Sequence, residues 1–129
     1  MTDHTQARLQ RIEDRVANLD DTVAILATVD DTLAKQRISE TFGDDPSMVI
    51  IYYGVQKKLS QSQIAAELRA RGLEPASQPT VSRACGLLEE KGFLKKEPRG
   101  YVVRAGWDAF GLTKYLKGVL RAKGVAPLE

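Results

Sequence analysis

The chain reads PTVSRACGLLEEKGFL from Pro79 to Leu94, and this stretch is the strongest indicator of the fold. Apolar side chains recur in it at helical spacing and predict a helix face turned towards a core; these are Val81, Ala84, Cys85 and Leu88. The opposite face carries small or hydrogen-bonding residues, namely Gln78, Ser82, Arg83 and Gly86. Gly92 then supplies a residue that readily takes a positive φ and ends the helix. The stretch therefore predicts a two-faced helix, followed by a short basic hairpin that begins at Phe93-Leu94.

This helix closely resembles the third helix of winged helix-turn-helix DNA-binding proteins, such as regulators of the MarR and ArsR type. The resemblance covers about residues 46–104 and is carried by Thr80-Val81-Ser82-Arg83, Leu88-Glu89-Glu90-Lys91-Gly92 and Phe93-Leu94. The sequence departs from the pattern at Cys85, where a larger aliphatic residue is usual, and at Gly86-Leu87, where polar residues are usual. The resemblance implies a mainly α fold with a small β-hairpin. A recognition helix at about 77–91 would enter the major groove, and a wing at about 93–104 would contact the backbone or minor groove.

The preceding helix carries its own start signal. Ser60 to Gln63 reads SQSQ, the pattern of a capping box with Ser60 as N-cap and Gln63 as the third helical residue. An apolar stripe follows at Ile64, Ala65 and Leu68, and Gly72 ends the predicted helix. This segment is also similar to the second helix of the same superfamily, which braces the recognition helix and often meets phosphates with its N-terminus. Ser77 is expected to cap the recognition helix.

A buried helix is predicted before this pair. Asp45 is placed to cap it, and Pro46 suits its first position. The run Ser47–Val55 is apolar all round, which predicts burial on most sides. Because the run is rich in β-branched and aromatic residues, a β-strand is the rival interpretation. The continuation Gln56–Leu59 and the capping box beyond it favour a helix.

A small wing and a last helix are predicted after the recognition helix. Lys95–Arg104 places strand residues on both sides of a Pro-Arg-Gly turn, with Arg99 as its basic tip. Strand alternation points Lys95 and Lys96 to opposite faces, so one of them is expected to face DNA. Residues 107–123 form one predicted helix, whose apolar side chains lie mostly on one side: Trp107, Phe110, Leu112, Leu116, Val119 and Leu120.

The N-terminal stretch, about residues 5–41, is predicted to form one long helix with a heptad pattern. Apolar residues occupy its a and d positions: Leu9, Ile12, Val16, Leu19, Val23, Leu26 and Leu33. β-Branched residues at a with Leu at d favour a parallel two-stranded coiled coil, so these residues are the predicted homodimer interface. The alternative is an amphipathic helix packed within the monomer. The heptad pattern fails at Asp30 and Arg37. We therefore expect the apolar side of this helix to contact the other subunit before about residue 27 and this subunit's own globular domain after it.

Length and charge fit a small domain with an arm. With the resemblance, the 129 residues are predicted to divide into an N-terminal helical dimerisation arm at 1–43, a winged helix-turn-helix domain at 44–105 and a C-terminal helix at 106–129 for packing or dimerisation. Residues 1–56 carry a net charge of −5, and residues 57–129 carry +7. A basic half that contains the recognition motif predicts a polyanion-binding face, against the plainer interpretation of an ordinary solvated surface.

Enzyme chemistry is poorly supported. The only histidine is His4, close to the N-terminus, and Cys85 falls on the inward face of a helix, where it is expected to pack. Neither zinc-ligand spacing nor a phosphate-binding glycine motif is present. The acidic pairs lie on the arm or in a turn, without the enclosure that catalytic carboxylates need: Asp20-Asp21, Asp30-Asp31 and Asp44-Asp45. We therefore expect a protein that is not an enzyme and holds no metal or cofactor.

The same sequence predicts a cytoplasmic, nucleoid-associated location. No run of about 18 apolar residues is present, so no membrane-spanning helix is expected. The N-terminus MTDHTQ lacks the hydrophobic region of a secretory signal. The single cysteine excludes an internal disulfide, which fits a reducing compartment.

The predicted function is dimeric, sequence-specific binding of double-stranded DNA by a transcriptional regulator, most simply a repressor. Arg83 can offer two donors to guanine or one charge to phosphate, and Gln78 suits adenine. The predicted DNA-binding residues are Ser60, Ser77, Gln78, Thr80, Ser82, Arg83, Gly86, Lys95, Lys96, Arg99 and Arg104. The alternative function is that of a winged-helix assembly module in a replication, partition or transcription complex. A small-molecule effector between the Tyr52-Tyr53 helix and the terminal helices is conceivable, although aromatic residues there more often form core.

Overall fold

A computed structural model describes residues 31–128 of the protein. In this part of the chain five α-helices are present: α1 (Asp31–Phe42), α2 (Pro46–Gln56), α3 (Gln61–Ala70), α4 (Gln78–Glu90) and α5 (Leu112–Lys123). An antiparallel hairpin of β1 (Leu94–Glu97) and β2 (Gly100–Val103) follows α4, and a 3-10 helix at Trp107–Phe110 precedes α5. The predicted mainly α fold with a small β-hairpin is confirmed. None of the helices between residues 31 and 128 has the length and apolar character that crossing a membrane requires.

Helix α2 is the centre of the fold, and its helical rather than strand conformation is confirmed. It begins as predicted, because the Asp45 carboxylate accepts a hydrogen bond from the Ser47 amide at 3.0 Å and Pro46 occupies the first turn. Most of its side chains are buried, and it packs against all four other helices and against β2. An all-round apolar helix is therefore satisfied by neighbours on every side.

Helix α2 ends at Gln56, and the turn after it places a residue in an unusual backbone conformation. Lys58 takes φ +63, and around it the amides of Lys58 and Leu59 donate to the carbonyls of Val55 and Gly54, both at 2.9 Å. This is the left-handed helix stop that glycine usually provides. The chain therefore turns at Lys58 and does not continue as helix through Leu59.

Close packing of α2 on α3 depends on Gly54. A Cβ atom at this position would lie 2.5 Å from Ile64 Cγ1 and 2.8 Å from its Cδ1. The absence of a side chain lets the two helices approach until Ile64 rests on the α2 backbone. The position of the α3 N-terminus therefore depends on this contact.

We expect Gly54→Ala to destabilise the protein. Overpacking of this kind costs about 1–3 kcal/mol, which outweighs the gain of at most about 1 kcal/mol from higher helix propensity. Gly118→Ala is the matched control, since a Cβ there meets nothing within 4 Å. Urea unfolding should show a lower midpoint for Gly54→Ala and a slightly higher one for Gly118→Ala. Equal midpoints for the two variants would contradict the packing role.

Helices α3 and α4 start at the predicted caps. The Ser60 hydroxyl accepts from the Gln63 amide at 3.1 Å, and the Gln63 side chain accepts from the Ser60 amide at 2.8 Å, so the capping box is confirmed. The Ser77 hydroxyl accepts from the Thr80 amide at 3.3 Å and caps α4. Of the predicted inward face of α4, three side chains are buried and Ala84 is half-buried; the three are Val81, Cys85 and Leu88.

An aromatic cluster joins α1, the start of the hairpin and the 3-10 helix. The Phe93 ring stacks on the Trp107 ring at 4.2 Å between centroids. The Phe42 ring contacts the Phe93 ring edge-on, at 5.0 Å between centroids. Trp107 Nε1 donates a hydrogen bond to the Gly92 carbonyl at 2.9 Å. Gly92 itself takes φ +91, as predicted for the residue that ends α4. The cluster thus fixes the direction in which the chain leaves α4.

The predicted single helix over residues 107–123 is wrong. Gly111 takes φ +81, which an α-helix does not accommodate, so the 3-10 helix ends there and α5 begins at Leu112. The Asp108 carboxylate accepts hydrogen bonds from the amide and the hydroxyl of Thr113 and so supports the new start. Apolar residues on both sides of the break are buried, which is why hydrophobic periodicity alone did not reveal it.

Helix α1 packs into the same core as the rest. Ala34, Ile38 and Phe42, one turn apart, are buried, as the failing heptad frame predicts for this end of the arm. Leu33, a residue of the predicted dimer interface, is 41% exposed. The other predicted dimerisation residues lie outside the described residues: Leu9, Ile12, Val16, Leu19, Val23 and Leu26.

Candidate functional site

Residues from three of the elements predicted to bind DNA line one cleft of about 680 Å³. Its walls are the N-terminus of α3, the inner side of α4 and the tip of the hairpin. Three predicted site residues from these separate elements, Ser60, Gln78 and Arg99, line it together. Apolar side chains from α2, α3, α4 and β2 also line it: Val55, Ile64, Cys85 and Val102. The fold therefore brings distant parts of the predicted site to one surface.

Beside this cleft, α4 presents a polar outer face. Gln78, Ser82 and Arg83 are exposed, and Gly86 is half-buried one turn beyond Ser82. A Cβ at Gly86 would meet nothing within 4 Å, so the protein does not require glycine there. The outer face is thus open to an approaching molecule along two turns of the helix.

Two of the predicted contact residues also serve the helix itself. The hydroxyls of Ser77 and Thr80 hydrogen-bond to each other at 2.9 Å at the start of α4, and both residues are half-buried. The Ser60 hydroxyl is likewise used in the α3 capping box. These side chains set the positions of the two helix N-termini, and their remaining hydrogen-bonding capacity is smaller than that of Ser82.

The hairpin separates its two lysines as strand alternation predicts. Lys95 lies 3.8 Å from the Glu97 carboxylate, whereas Lys96 lies 5.8 Å from the centre of the Tyr101 ring. Lys95 is half-buried and Lys96 is exposed. Arg99, in the turn between the strands, is exposed. Lys96 and Arg99 are therefore the more accessible cations of the hairpin.

Arg104 lies at the base of the hairpin and not in the cleft. Its Nε donates to the Leu94 carbonyl at 3.4 Å, and it lines a separate cavity of about 230 Å³ with Tyr52, Tyr53 and Asp108. Burial, with a further contribution from Asp108, raises the pKa of both tyrosines, so their phenols stay neutral at neutral pH. This cavity occupies the place considered for an effector, and it is smaller than the usual ligand pocket of about 300–1,000 Å³.

Cys85 has the packing role expected for it. Its side chain is buried between the cleft and the core, and burial raises the pKa of its thiol to about 11. The thiol is therefore protonated at neutral pH, and the thiolate is the nucleophilic form. Among residues 31–128, no group of three or more His, Cys, Asp or Glu side chains lies close enough together to hold a metal ion.

Sequence reasoning missed several residues of the cleft, among them the cation Lys58 and the carboxylate Glu97. Lys58 is exposed, lines the cleft and is held at φ +63 by the turn after α2. A non-glycine residue in this conformation stores backbone strain, and such strain is often found at functional positions. Its signal in the sequence was the pair Lys57-Lys58 just ahead of Leu59 and the capping box, a segment that was assigned to a continuing helix.

In comparisons with known proteins, no family model, no curated protein and no solved structure matches the chain. Its function is therefore inferred from the chemistry and geometry of the described residues. Those residues offer a polar helix face, a neighbouring cleft and exposed cations on the elements around it.

Proposed function

We propose that the protein is a dimeric, sequence-specific DNA-binding protein of the winged helix-turn-helix type that acts as a transcriptional repressor in the cytoplasm. One observation carries the proposal. The fold places the N-terminus of α3, Gln78 at the start of α4 and the Arg99 turn around one cleft, with the polar outer face of α4 beside it. These three elements are the ones a winged helix presents to duplex DNA.

The order of the elements supports the winged-helix assignment. Helices α2, α3 and α4 pack on one another, and β1 follows α4 directly and packs against it. In such a domain the third helix enters the major groove while the hairpin contacts the backbone. The polar outer face of α4, with Ser82 and Arg83, is the matching surface for base edges.

Exposed cations surround the proposed DNA surface. Lys58 precedes α3, Arg83 projects from α4, and Lys96 and Arg99 belong to the hairpin. Each phosphate contact releases counterions from DNA, so binding through several such residues weakens steeply with salt. We therefore expect strong salt dependence for binding to any duplex.

Self-association is proposed through the N-terminal heptads. Leu33 continues the spacing of Leu19 and Leu26 and is 41% exposed on α1. A dimer would set two copies of α4 one helical turn of DNA apart and favour a pseudo-palindromic site. The heptad pattern and the exposed Leu33 support the dimer together.

The decisive experiment combines the mass of the protein in solution with binding selection from random duplex DNA. We expect a dimer and an enriched motif with twofold symmetry. A monomer that enriches no sequence would overturn the proposal. A dimer that enriches no sequence would leave self-association standing and remove sequence-specific recognition.

A variant of Lys58 tests the cleft directly. Lys58→Gly removes a charge. It also removes backbone strain, because the left-handed conformation costs a non-glycine residue about 1–2 kcal/mol and is freely adopted by glycine. We therefore expect unchanged or higher stability together with weaker DNA binding. The slope of log affinity against log salt should become about 0.9 shallower, the value for one lost phosphate contact.

Lys57→Gln is the matched control for this test. Lys57 is also exposed but borders a different groove, formed by Glu67, Arg71 and residues 126–128. The Lys57→Gln variant loses one positive charge at the neighbouring position. Its slope of log affinity against log salt should equal that of the wild type. An unchanged slope for Lys58→Gly would show that Lys58 does not meet phosphate.

One observation favours the alternative function of an assembly module. Leu87 is 41% exposed on α4, so neither α5 nor any other described element covers it fully. An exposed leucine on the proposed recognition helix would suit a protein partner better than a DNA groove. The binding selection described above separates the two functions, because an assembly module would enrich no DNA sequence.

A further inference from the structure

Helix α5 carries a second group of cations, away from the proposed recognition helix. Lys114, Lys117 and Arg121 are all exposed and recur at spacings of three and four residues, so they share one face. The opposite face of α5 is buried in the core through Leu112, Leu116, Val119 and Leu120. The basic face extends over about 10 Å, from the rise of 1.5 Å per residue.

No described carboxylate neutralises the charges on this face. Among residues 31–128, no carboxylate forms an ion pair with Lys114, Lys117 or Arg121. Asp108, the acidic residue that borders them, accepts hydrogen bonds from Thr113 at the start of α5. The neighbouring Lys123, by contrast, pairs with Asp44 at 3.4 Å. An uncompensated basic face attracts polyanions.

The two basic surfaces lie on helices with different packing partners. Helix α4 packs against α2, α3 and β1, whereas α5 packs against α2 and the 3-10 helix. The α5 cations border a groove of their own, and none of them lines the cleft beside α4.

We propose that the α5 face, Lys114, Lys117 and Arg121, binds the phosphate backbone of a second duplex segment while α4 holds the first. A duplex presents about six phosphate charges over 10 Å of its axis, which is ample for three cations. The contact uses charge only and is independent of sequence. It rests on the proposed DNA binding through α4 and adds the bridging of two DNA segments to it.

A bridging assay tests the α5 face. Biotinylated random-sequence duplex on beads is loaded with protein and then offered a fluorescent second duplex. Three proteins are compared: wild type, the triple variant K114Q/K117Q/R121Q, and the control K35Q/K91Q/K123Q, which removes the same charge from scattered positions. Because all substituted side chains are exposed, circular dichroism should show the same fold for each.

The wild type and the control should retain the second duplex at 50 mM salt, and the triple variant should load on the first duplex but lose the second. Three phosphate contacts should make affinity for the second duplex fall about 40-fold between 50 and 200 mM salt.

Equal retention by the triple variant and the control overturns the α5 proposal and leaves DNA binding through α4 intact. Absence of wild-type binding to the first duplex overturns both. A smaller solution mass for the triple variant, with bridging unchanged, assigns the face to the acidic N-terminal segment of a second copy instead.

Discussion

Replacing Trp107 with alanine should lower the free energy of unfolding by about 3–5 kcal/mol, the usual cost of removing a large buried aromatic side chain. Trp107 is only 1% exposed, stacks on Phe93 and lies in the cluster that also contains Phe42. The substitution leaves a cavity between α1, the hairpin and the 3-10 helix. It also leaves the Gly92 carbonyl without the indole donor. Urea or thermal unfolding measures the loss.

A second variant separates packing from the hydrogen bond. Trp107→Phe keeps an aromatic ring beside Phe93 but cannot donate to the Gly92 carbonyl. Loss of that donor costs about 1–3 kcal/mol when the acceptor is buried. We therefore expect the phenylalanine variant to lie between the wild type and Trp107→Ala in stability. A loss below about 1 kcal/mol for Trp107→Ala would show that the cluster does not hold the hairpin to the core.

The second large effect is expected for Arg83→Ala, which should weaken specific DNA binding by about 1–3 kcal/mol and relax the preference at one base position. Arg83 is exposed on the outer face of α4, where a guanidinium can bond a guanine edge with two donors. Because the side chain is exposed, folding stability should change by no more than about 0.5 kcal/mol. Affinity for the selected sequence and for single-base variants of it measures the effect.

Lys91→Ala supplies the control for Arg83. Lys91 is exposed at the C-terminal end of the same helix, beyond the face proposed to meet bases. Its removal should leave the base preferences unchanged. A uniform loss across all sequences for Arg83→Ala would move Arg83 from a base contact to a phosphate contact. An unchanged binding profile would remove it from the site.

Local signals in the sequence predicted the helix starts and the inward face of α4. The caps at Asp45, Ser60 and Ser77 depend on bonds within three residues, so the residues themselves specify them. The burial of Val81, Cys85 and Leu88 follows from helical spacing alone. Such features are predictable because no distant part of the chain is needed to form them.

Other features depended on contacts that sequence spacing does not contain. The break at Gly111 falls inside a run of buried apolar residues, and only the backbone geometry reveals it. Lys58 adopts a left-handed conformation because the chain must turn from α2 into α3. Arg104 was grouped with the DNA contacts on its charge, but tertiary packing places it at the base of the hairpin.

Residue spacing and composition were enough to specify the order of the helices, the N-caps of α2, α3 and α4, the two faces of α4 and the charge difference between the halves of the chain. These follow from local hydrogen bonding, periodicity and composition. Which polar residues share a surface depended on long-range packing. Ser60, Gln78 and Arg99 meet at one cleft, and Lys114, Lys117 and Arg121 form a separate face on α5. This grouping arises from the way the helices pack around α2, where Gly54 allows close approach and the Trp107 cluster sets the exit of α4.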